Sequence, residues 1–200
     1  GWTQFPKVSL ITPTFRQDML ARCLETFEGQ TYPNKELILV FNGDRPPSVQ
    51  QLGLPKPRED VRVVHVPGDA FAATCLNQGH TYARGVYCFR VDDDDYYGSN
   101  YIMDMVLQAS CIDADVFGKP PAPIYFEEEK TVYKRNRVEP LTIVSEKLLS
   151  KGTLWMGGNS VAGKHEVFRE IQYGDSAFGG ADSRFIYNVS NQDGLVYAIL

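Results

Sequence analysis

The sequence has few cysteines and no long apolar run, and both absences exclude classes of protein. Its four cysteines (Cys23, Cys75, Cys88 and Cys111) form no C-x-x-C pair, which excludes a zinc ribbon and a dithiol redox motif. They lie in apolar stretches, so we expect reduced core thiols of a cytosolic protein, with a Cys23–Cys111 or Cys75–Cys88 disulfide as the alternative. No apolar run approaches the roughly 18 residues that a membrane helix needs, so no transmembrane segment is expected.

Clusters of basic residues are also absent. The net charge of −5 and the pI near 5.2 make nucleic acid and anionic membrane surfaces poor partners, and we expect neither. The 200 residues, 43% hydrophobic and 22% charged, suffice for one globular domain that folds without a disulfide or a metal. The opening residues Gly1, Trp2 and Thr3 indicate a start that was cut from a longer protein.

Three common catalytic motifs are missing. No G-x-G-x-x-G follows the first apolar run, so a dinucleotide fold of the dehydrogenase type is unsupported. Residues 158–165 imitate a P-loop, but His165 stands where a Mg²⁺-binding Ser or Thr is required. No G-x-S-x-G elbow is present, which argues against a serine hydrolase of the α/β type.

Apolar runs alternate with helical periodicity through the first half of the chain. We predict strands at 7–12 (closed by Pro13), 37–41, 61–66 and 86–91, and helices at 19–27, 70–84 and 102–109. This alternation is typical of an α/β fold with a doubly wound parallel sheet. In the second half we predict short strands or a hairpin at 116–133 around the acidic residues 127–129, helices at 164–171 and 181–190, and a strand at 195–200.

Polar turn residues follow each of the four predicted strands, and the last of these turns is a run of acids. The turns are residues 12–14, 42–44, 67–69 and the four aspartates Asp92, Asp93, Asp94 and Asp95. Doubly wound sheets bind ligands beyond the carboxyl ends of their strands. Neighbouring carboxylates about 5 Å apart repel by roughly 3 kcal/mol per pair at an effective dielectric near 20. With Arg90 the only nearby cation, the four either splay into water or share a divalent ion.

Hard oxygen ligands at this density suit Mg²⁺ or Mn²⁺. An EF-hand is excluded, because Tyr96 and Tyr97 stand where a polar ligand and a glycine belong. A metal held by one or two carboxylates typically bridges to substrate phosphates. Such an ion would explain how an acidic protein binds an anionic substrate.

Three segments together resemble a family 2 glycosyltransferase of GT-A fold: residues 8–16 (VSLITPTFR), residues 77–95 (NQGHTYARGVYCFRVDDDD) and residues 179–182 (GGAD). The resemblance covers essentially the whole chain, and residues 92–98 further resemble bacterial enzymes that build surface polysaccharides. It implies a Rossmann-like, mostly parallel central sheet with helices on both faces. We therefore expect one domain over residues 1–200, in which about 1–100 bind a nucleotide sugar and about 101–200 bind the acceptor.

The resemblance also implies a role for individual residues. Asp94 and Asp95 would hold the metal, Mn²⁺ or Mg²⁺, and Asp182 stands where inverting enzymes of this fold carry their general base, although an Asp after two glycines is also a common helix N-cap. Leu76 and Ala181 depart from the family pattern, which often has Arg and Glu there. The residues implied in binding the nucleotide sugar are Thr12, Pro13, Thr14, Arg16, Asn42, Asp69, Asn77, Asp92 and Asp93.

The expected acceptor site includes Trp155, Gly157 and Gly158, where the indole is either a stacking platform for a sugar or a core residue. The expected reaction is inverting, metal-dependent transfer from a nucleoside-diphosphate sugar, with UDP as the default, to a hydroxyl of a saccharide or lipid-linked saccharide. We expect a cytoplasmic protein, held at the inner face of the membrane through further regions if at all. The alternatives are a nucleotidyltransferase of related fold, although residues 12–16 lack the glycines of its loop, and an inactive saccharide-binding module of a larger polymerase.

Overall fold

The computed structural model describes residues 4–48, 50–54, 56–120, 123–133, 142–143, 156–174 and 180–200. Ten strands lie within these ranges: β1 Val8–Thr14, β2 Lys35–Asn42, β3 Val61–Val66, β4 Tyr87–Arg90, β5 Val116–Gly118, β6 Ile124–Phe126, β7 Thr131–Tyr133, β8 Thr142–Ile143, β9 Ala162–Lys164 and β10 Tyr197–Ile199. The helices there are α1 Leu20–Gly29, α2 Ala72–Tyr82, α3 Tyr101–Cys111, α4 His165–Glu170 and α5 Ala181–Ser190.

Eight strands form one sheet in the order β3-β2-β1-β4-β9-β5-β10-β8. The first four are parallel neighbours, and β5 and β10 are also parallel to each other. Strand β9 runs antiparallel between β4 and β5, and β8 runs antiparallel to β10. The prediction of an α/β fold around a mostly parallel sheet is confirmed, and β6 and β7 form the predicted hairpin as a separate two-stranded sheet.

Helices cover both faces of the large sheet, because alternate strand residues point to opposite sides. Leu10 and Leu37 pack with α1 and α3 in one core cluster, whereas Ile11 and Ile38 pack with α2, α4 and α5 in the other. Strands that are buried on both faces are mostly apolar, which is why residues 37–41 of β2 form an unbroken apolar run and Val8, Leu10 and Ile11 of β1 are buried.

The first strand is longer than predicted. It continues through Pro13 to Thr14, whereas we expected Pro13 to close it. The backbone N–H and C=O groups of successive residues in β1 point alternately toward β2 and toward β4. Those of Ile11 point toward β4, since its carbonyl accepts a hydrogen bond from the N–H of Val91. The backbone nitrogen of Pro13, two residues later, therefore also points toward β4, but the pairing of β1 with β4 ends at Ile11. The missing N–H of the proline costs no ladder bond there, so the strand continues.

Two further expectations concern the cysteines and the membrane. All four cysteines are thiols, so neither alternative disulfide forms; Cys23, Cys75 and Cys88 are buried as expected. Cys111 is exposed, and its assignment to the core was wrong, because the last residue of α3 lies beyond the stripe that packs on the sheet. Across the described ranges, each helix is too short or too polar to cross a bilayer.

A buried carboxylate fastens the amino-terminal edge of the sheet. Glu36, fully buried in β2, accepts hydrogen bonds from Ser9 Oγ at 2.7 Å and from the backbone N–H and Nε of Arg84, each at 2.7 Å. Lys7 Nζ lies 3.0 Å from its Oε2. Burial by itself would raise the pKa of Glu36, but these donors outweigh burial and lower it. The carboxylate is therefore a fixed anchor of the folded chain.

Replacing Glu36 by Ala is expected to lower the free energy of unfolding by about 3 kcal/mol, because it leaves a buried hydroxyl and two cations without their acceptor. The melting temperature should fall by about 6–12 °C, whereas Glu170→Ala, at an exposed position, should leave it unchanged. Because the pKa is lower in the folded chain, the stabilisation is present above the pKa of the unfolded chain and is lost as the pH falls through the folded value. Equal melting temperatures of the two variants at pH 7 would contradict the anchor role.

Candidate active site

A cleft of about 1160 Å³ opens at the carboxyl end of β4. One wall comes from the aspartate run, a second from the turn 157–159, a third from the start of α5, and a fourth from the β6–β7 hairpin. Its polar lining includes Arg90, Asp92, Asp94, Asp95, Asn159 and Asp182. The cleft thus brings two of the three sequence-predicted segments together, although they are about 90 residues apart in the chain.

The buried member of the aspartate run is Asp93, which is 8% exposed. Thr14 Oγ1 donates to its Oδ2 at 2.5 Å, and the Nε of Arg16 donates to the same oxygen at 3.0 Å. Burial would raise the pKa of Asp93, but the bonds from Arg16 and Thr14 outweigh it and lower the pKa. Asp93 therefore ties the end of β1 to the end of β4 as a carboxylate that is ionised at neutral pH.

The neighbouring Asp94 differs from Asp93 in exposure. Its side chain is 59% exposed and lines the cleft, and its Oδ2 lies 2.9 Å from an Nη2 of Arg16. Asp95 also lines the cleft, half-buried, and accepts a hydrogen bond from Asn159 Nδ2 at 2.6 Å. The two carboxylates that the sequence analysis assigned to a metal are thus both open to the cleft.

Asp92 is held by a different cation. Arg90 binds both of its oxygens, Nε to Oδ1 at 2.7 Å and Nη2 to Oδ2 at 3.0 Å. Burial raises the pKa of Asp92, and Arg90 opposes this rise. The backbone N–H of Asp92 donates to the hydroxyl of Tyr97 at 2.9 Å, which in turn donates to the carbonyl of Asn159 at 2.8 Å. This chain of bonds fixes the turn 157–159 against the aspartate run.

Asp182 lies in the first turn of α5, where a negative charge is stabilised by the helix dipole. It is not the N-cap: that position is Gly180, whose φ of 89° is strained for residues with a side chain. Arg90 Nη1 donates to its Oδ1. Gly158 packs so closely on the carboxylate that a Cβ at that position would overlap it. The carboxylate is one-third exposed to the cleft.

The other residues expected to bind a nucleotide sugar lie in several places. Thr12 is buried and Asp69 is exposed. Half-buried Pro13 follows Thr12 in β1. Asn42 lines a second recess, of about 600 Å³, at the ends of β1 to β3; its Nδ2 donates to the carbonyl of Ala70 at 2.7 Å, and its buried Oδ1 has no partner among the described residues.

Asn77 lies elsewhere. Its side chain forms two hydrogen bonds of 2.9 Å with the backbone of Tyr173, and it lines a separate recess between α2 and α4. Of the expected acceptor residues, Gly157 and Gly158 line the cleft, whereas Trp155 lies outside the described residues.

The donor set of the cleft suits a divalent metal that is shared with a substrate. Among the described residues, no three or more His, Cys, Asp or Glu side chains converge as a complete protein cage. Arginines bind both oxygens of Asp92 and of Asp93. Asp94 is paired with Arg16 through Oδ2 and Asp95 with Asn159 through Oδ2, and both side chains line the cleft as the more accessible carboxylates. Mg²⁺ and similar hard cations are commonly held by one or two carboxylates together with substrate phosphates. The residues present therefore fit such an ion.

Several residues of the site were missed or undervalued in the sequence. The sequence identifies Arg90 only as a cation near the aspartates and gives Tyr97 and Asn159 no role in the site. The contacts of these residues join segments more than 60 residues apart, so no local pattern reveals them. The hairpin residues Ile124 and Tyr125 line the cleft with exposed apolar side chains. No local pattern predicts which wall of a distant cleft a hairpin forms.

Comparisons with known proteins agree with this architecture. The chain is 33% identical over 111 residues to the glycosyltransferase GlyG of Streptococcus pneumoniae, covering 54% of this chain and 37% of that protein. Its fold superposes on S. aureus TarS 1–349, which was also solved with UDP-GlcNAc, with a TM-score of 0.71 and 16% identity over 96% of this chain and 60% of that one.

A second similar structure is that of the mannosyltransferase PcManGT from Pyrobaculum calidifontis, in complex with GDP-Man and Mn²⁺ (TM-score 0.67, 15% identity, 99% of this chain and 55% of that one). The chain spans about a third of the length of each curated relative that it matches in sequence. Residues 9–172 match the sequence model described as Glycosyl transferase family 2. The chain therefore belongs to glycosyl transferase family 2 and has the GT-A fold of its structural neighbours.

Proposed function

We propose that this domain transfers a sugar from a nucleoside-diphosphate sugar to a hydroxyl of a saccharide acceptor, with inversion at the anomeric carbon. One observation carries the proposal: Asp94, Asp95 and Asp182 line the same cleft at the carboxyl end of β4. A family 2 chain that presents two carboxylates for a metal-bound diphosphate and a third for an acceptor proton has the groups that this reaction needs.

The donor is proposed to lie along the ends of β1, β2 and β4. The recess beside Asn42, of about 600 Å³, is large enough to hold a nucleoside, and the side chain of Asn42 lines it. Arg16 and Thr14 act through Asp93, whose fixed carboxylate orients the backbone that presents Asp94. The complexes of TarS with UDP-GlcNAc and of PcManGT with GDP-Man support this class of donor, and UDP is the default nucleotide of the proposal.

Asp94 and Asp95 are the residues that would hold the divalent ion. When bound, the ion supplies positive charge that stabilises the departing diphosphate. The carboxylate of Asp182 removes the proton of the acceptor hydroxyl as this hydroxyl attacks the anomeric carbon opposite the leaving group. Gly157 and Gly158 line the cleft beside Asp182, and Gly158 contacts the carboxylate on one side, so the acceptor hydroxyl approaches it from the open cleft.

The saccharide acceptor is proposed to occupy the part of the cleft between the hairpin and α5. Tyr125 is 57% exposed there and offers an aromatic face, on which the apolar faces of sugar rings can stack. The proposed product class is a surface polysaccharide, because residues 92–98 resemble bacterial enzymes that build such polymers.

The proposal is tested by release of nucleoside diphosphate from UDP-, GDP- and dTDP-sugars, with Mn²⁺ or with EDTA, in the presence and absence of saccharide acceptors. We expect turnover with one nucleotide, stimulation by an acceptor and loss of activity in EDTA. Release of pyrophosphate from a nucleoside triphosphate and a sugar phosphate would identify a nucleotidyltransferase instead. Saccharide binding without any turnover would identify an inactive module.

A further inference from the structure

Arg90, the last residue of β4, joins the donor side of the cleft to its acceptor side. Two of its nitrogens bind Asp92, and the third binds Asp182. A guanidinium can serve two carboxylates at once because its five N–H groups form a rigid planar fork, whereas a lysine offers a single point charge. The two acids, Asp92 and Asp182, are 90 residues apart in the chain.

The arginine is well placed to fix its partners. Its side chain is only 15% exposed, and its backbone N–H donates to the carbonyl of Val161 at 2.9 Å within the sheet. Asp182, in contrast, lies at the start of a helix and is one-third exposed, so its carboxylate needs outside contacts to keep one rotamer. Arg90 holds it from the β4 side, and the close approach of Gly158 limits it from the other side.

We infer that Arg90 is a positioning residue that holds the carboxylate of Asp182 where it can accept the proton of the acceptor hydroxyl; this inference rests on the proposed function. The competing role is structural, in which Arg90 only neutralises the half-buried Asp92. The two roles differ in one respect: a residue that acts through Asp182 has no further effect on turnover once Asp182 has been replaced.

The test is a double-mutant cycle in the full-length protein, with Arg90→Met, Asp182→Asn and the double variant, measured as kcat of sugar transfer at saturating donor and acceptor. Arg90→Met is expected to lower kcat by about 10- to 100-fold, because small displacements of a catalytic group have costs of this size. The double variant is expected to match Asp182→Asn within about threefold. The control Arg62→Met, at an exposed position of β3 that contacts Tyr82, should retain the wild-type kcat.

Arg90→Lys replaces Arg90→Met in the experiment if the Met variant does not fold, because lysine retains a positive charge beside Asp92. We expect the Lys variant to keep the wild-type melting temperature and to lose kcat as Arg90→Met does. A wild-type kcat in Arg90→Lys, or effects that multiply in the double variant, would overturn the inference while leaving the proposed function intact. A wild-type chain that transfers no sugar, or an Asp182→Asn chain as active as wild type, would overturn the proposed function and the inference with it.

Discussion

Asp182→Asn is expected to lower kcat of sugar transfer by about 100- to 10,000-fold and to change the affinity for the donor by less than about threefold. The rate loss is the range typical of removing a general base. Asparagine has the same shape as aspartate and still accepts a hydrogen bond from Arg90, so the cleft keeps its form while the proton acceptor is lost. Donor affinity is spared because the residues proposed to hold the nucleotide and the diphosphate lie at the ends of β1, β2 and β4.

The measurement separates these effects by steady-state kinetics with a saccharide acceptor and by calorimetry with UDP-GlcNAc and Mn²⁺ as the probe. The matched control is Asp193→Asn, an exposed aspartate in the turn after α5, which should behave as wild type in both. A donor affinity that falls in parallel with kcat would place Asp182 in donor binding rather than in proton transfer.

Much of the fold could be predicted because its central strands are buried on both faces. Such strands are largely apolar, as residues 37–41 of β2 are. The edge strand β3 and the helix α5 also have the bounds that the sequence predicts. Strand β9 could not be predicted, since three residues carry no usable period and its place between β4 and β5 depends on antiparallel pairing with distant segments. The helix that we expected to begin at Lys164 begins one residue later, because Lys164 closes that strand.

The residue types of the site could be predicted from the sequence, but the separate role of each aspartate could not. Four adjacent aspartates indicate a cluster of oxygen ligands, yet nothing local distinguishes one from the next. Asp93 is buried because Thr14 and Arg16, 79 and 77 residues away, bind it, whereas Asp94 faces the cleft. The sequence interpretation grouped Asp93 with the nucleotide-binding residues, and its buried position points instead to a supporting role behind Asp94.

Because Asp93 is buried and Asp94 faces the cleft, replacing each by alanine is expected to have very different effects on donor binding and on stability. Asp94→Ala is expected to weaken Mn²⁺-dependent binding of UDP-GlcNAc by about 100-fold or more, because it removes a ligand and not only a group that orients one. Its side chain is 59% exposed and Arg16 keeps Asp93 as a partner, so the free energy of unfolding should change by less than about 0.5 kcal/mol.

Asp93→Ala should give a different pattern, because it leaves a buried Thr14 hydroxyl without its acceptor. We expect a loss of about 1–3 kcal/mol in the free energy of unfolding, seen as a melting temperature lower by several degrees. Calorimetry with and without EDTA completes the comparison: chelation should reduce the wild-type affinity to that of Asp94→Ala and leave the affinity of Asp94→Ala unchanged. If Asp94→Ala still gained affinity from Mn²⁺ as the wild type does, the ion would be held by other groups. The carboxylates at the end of β4 would then have to be explained by their contacts with Arg16, Arg90 and Asn159 alone.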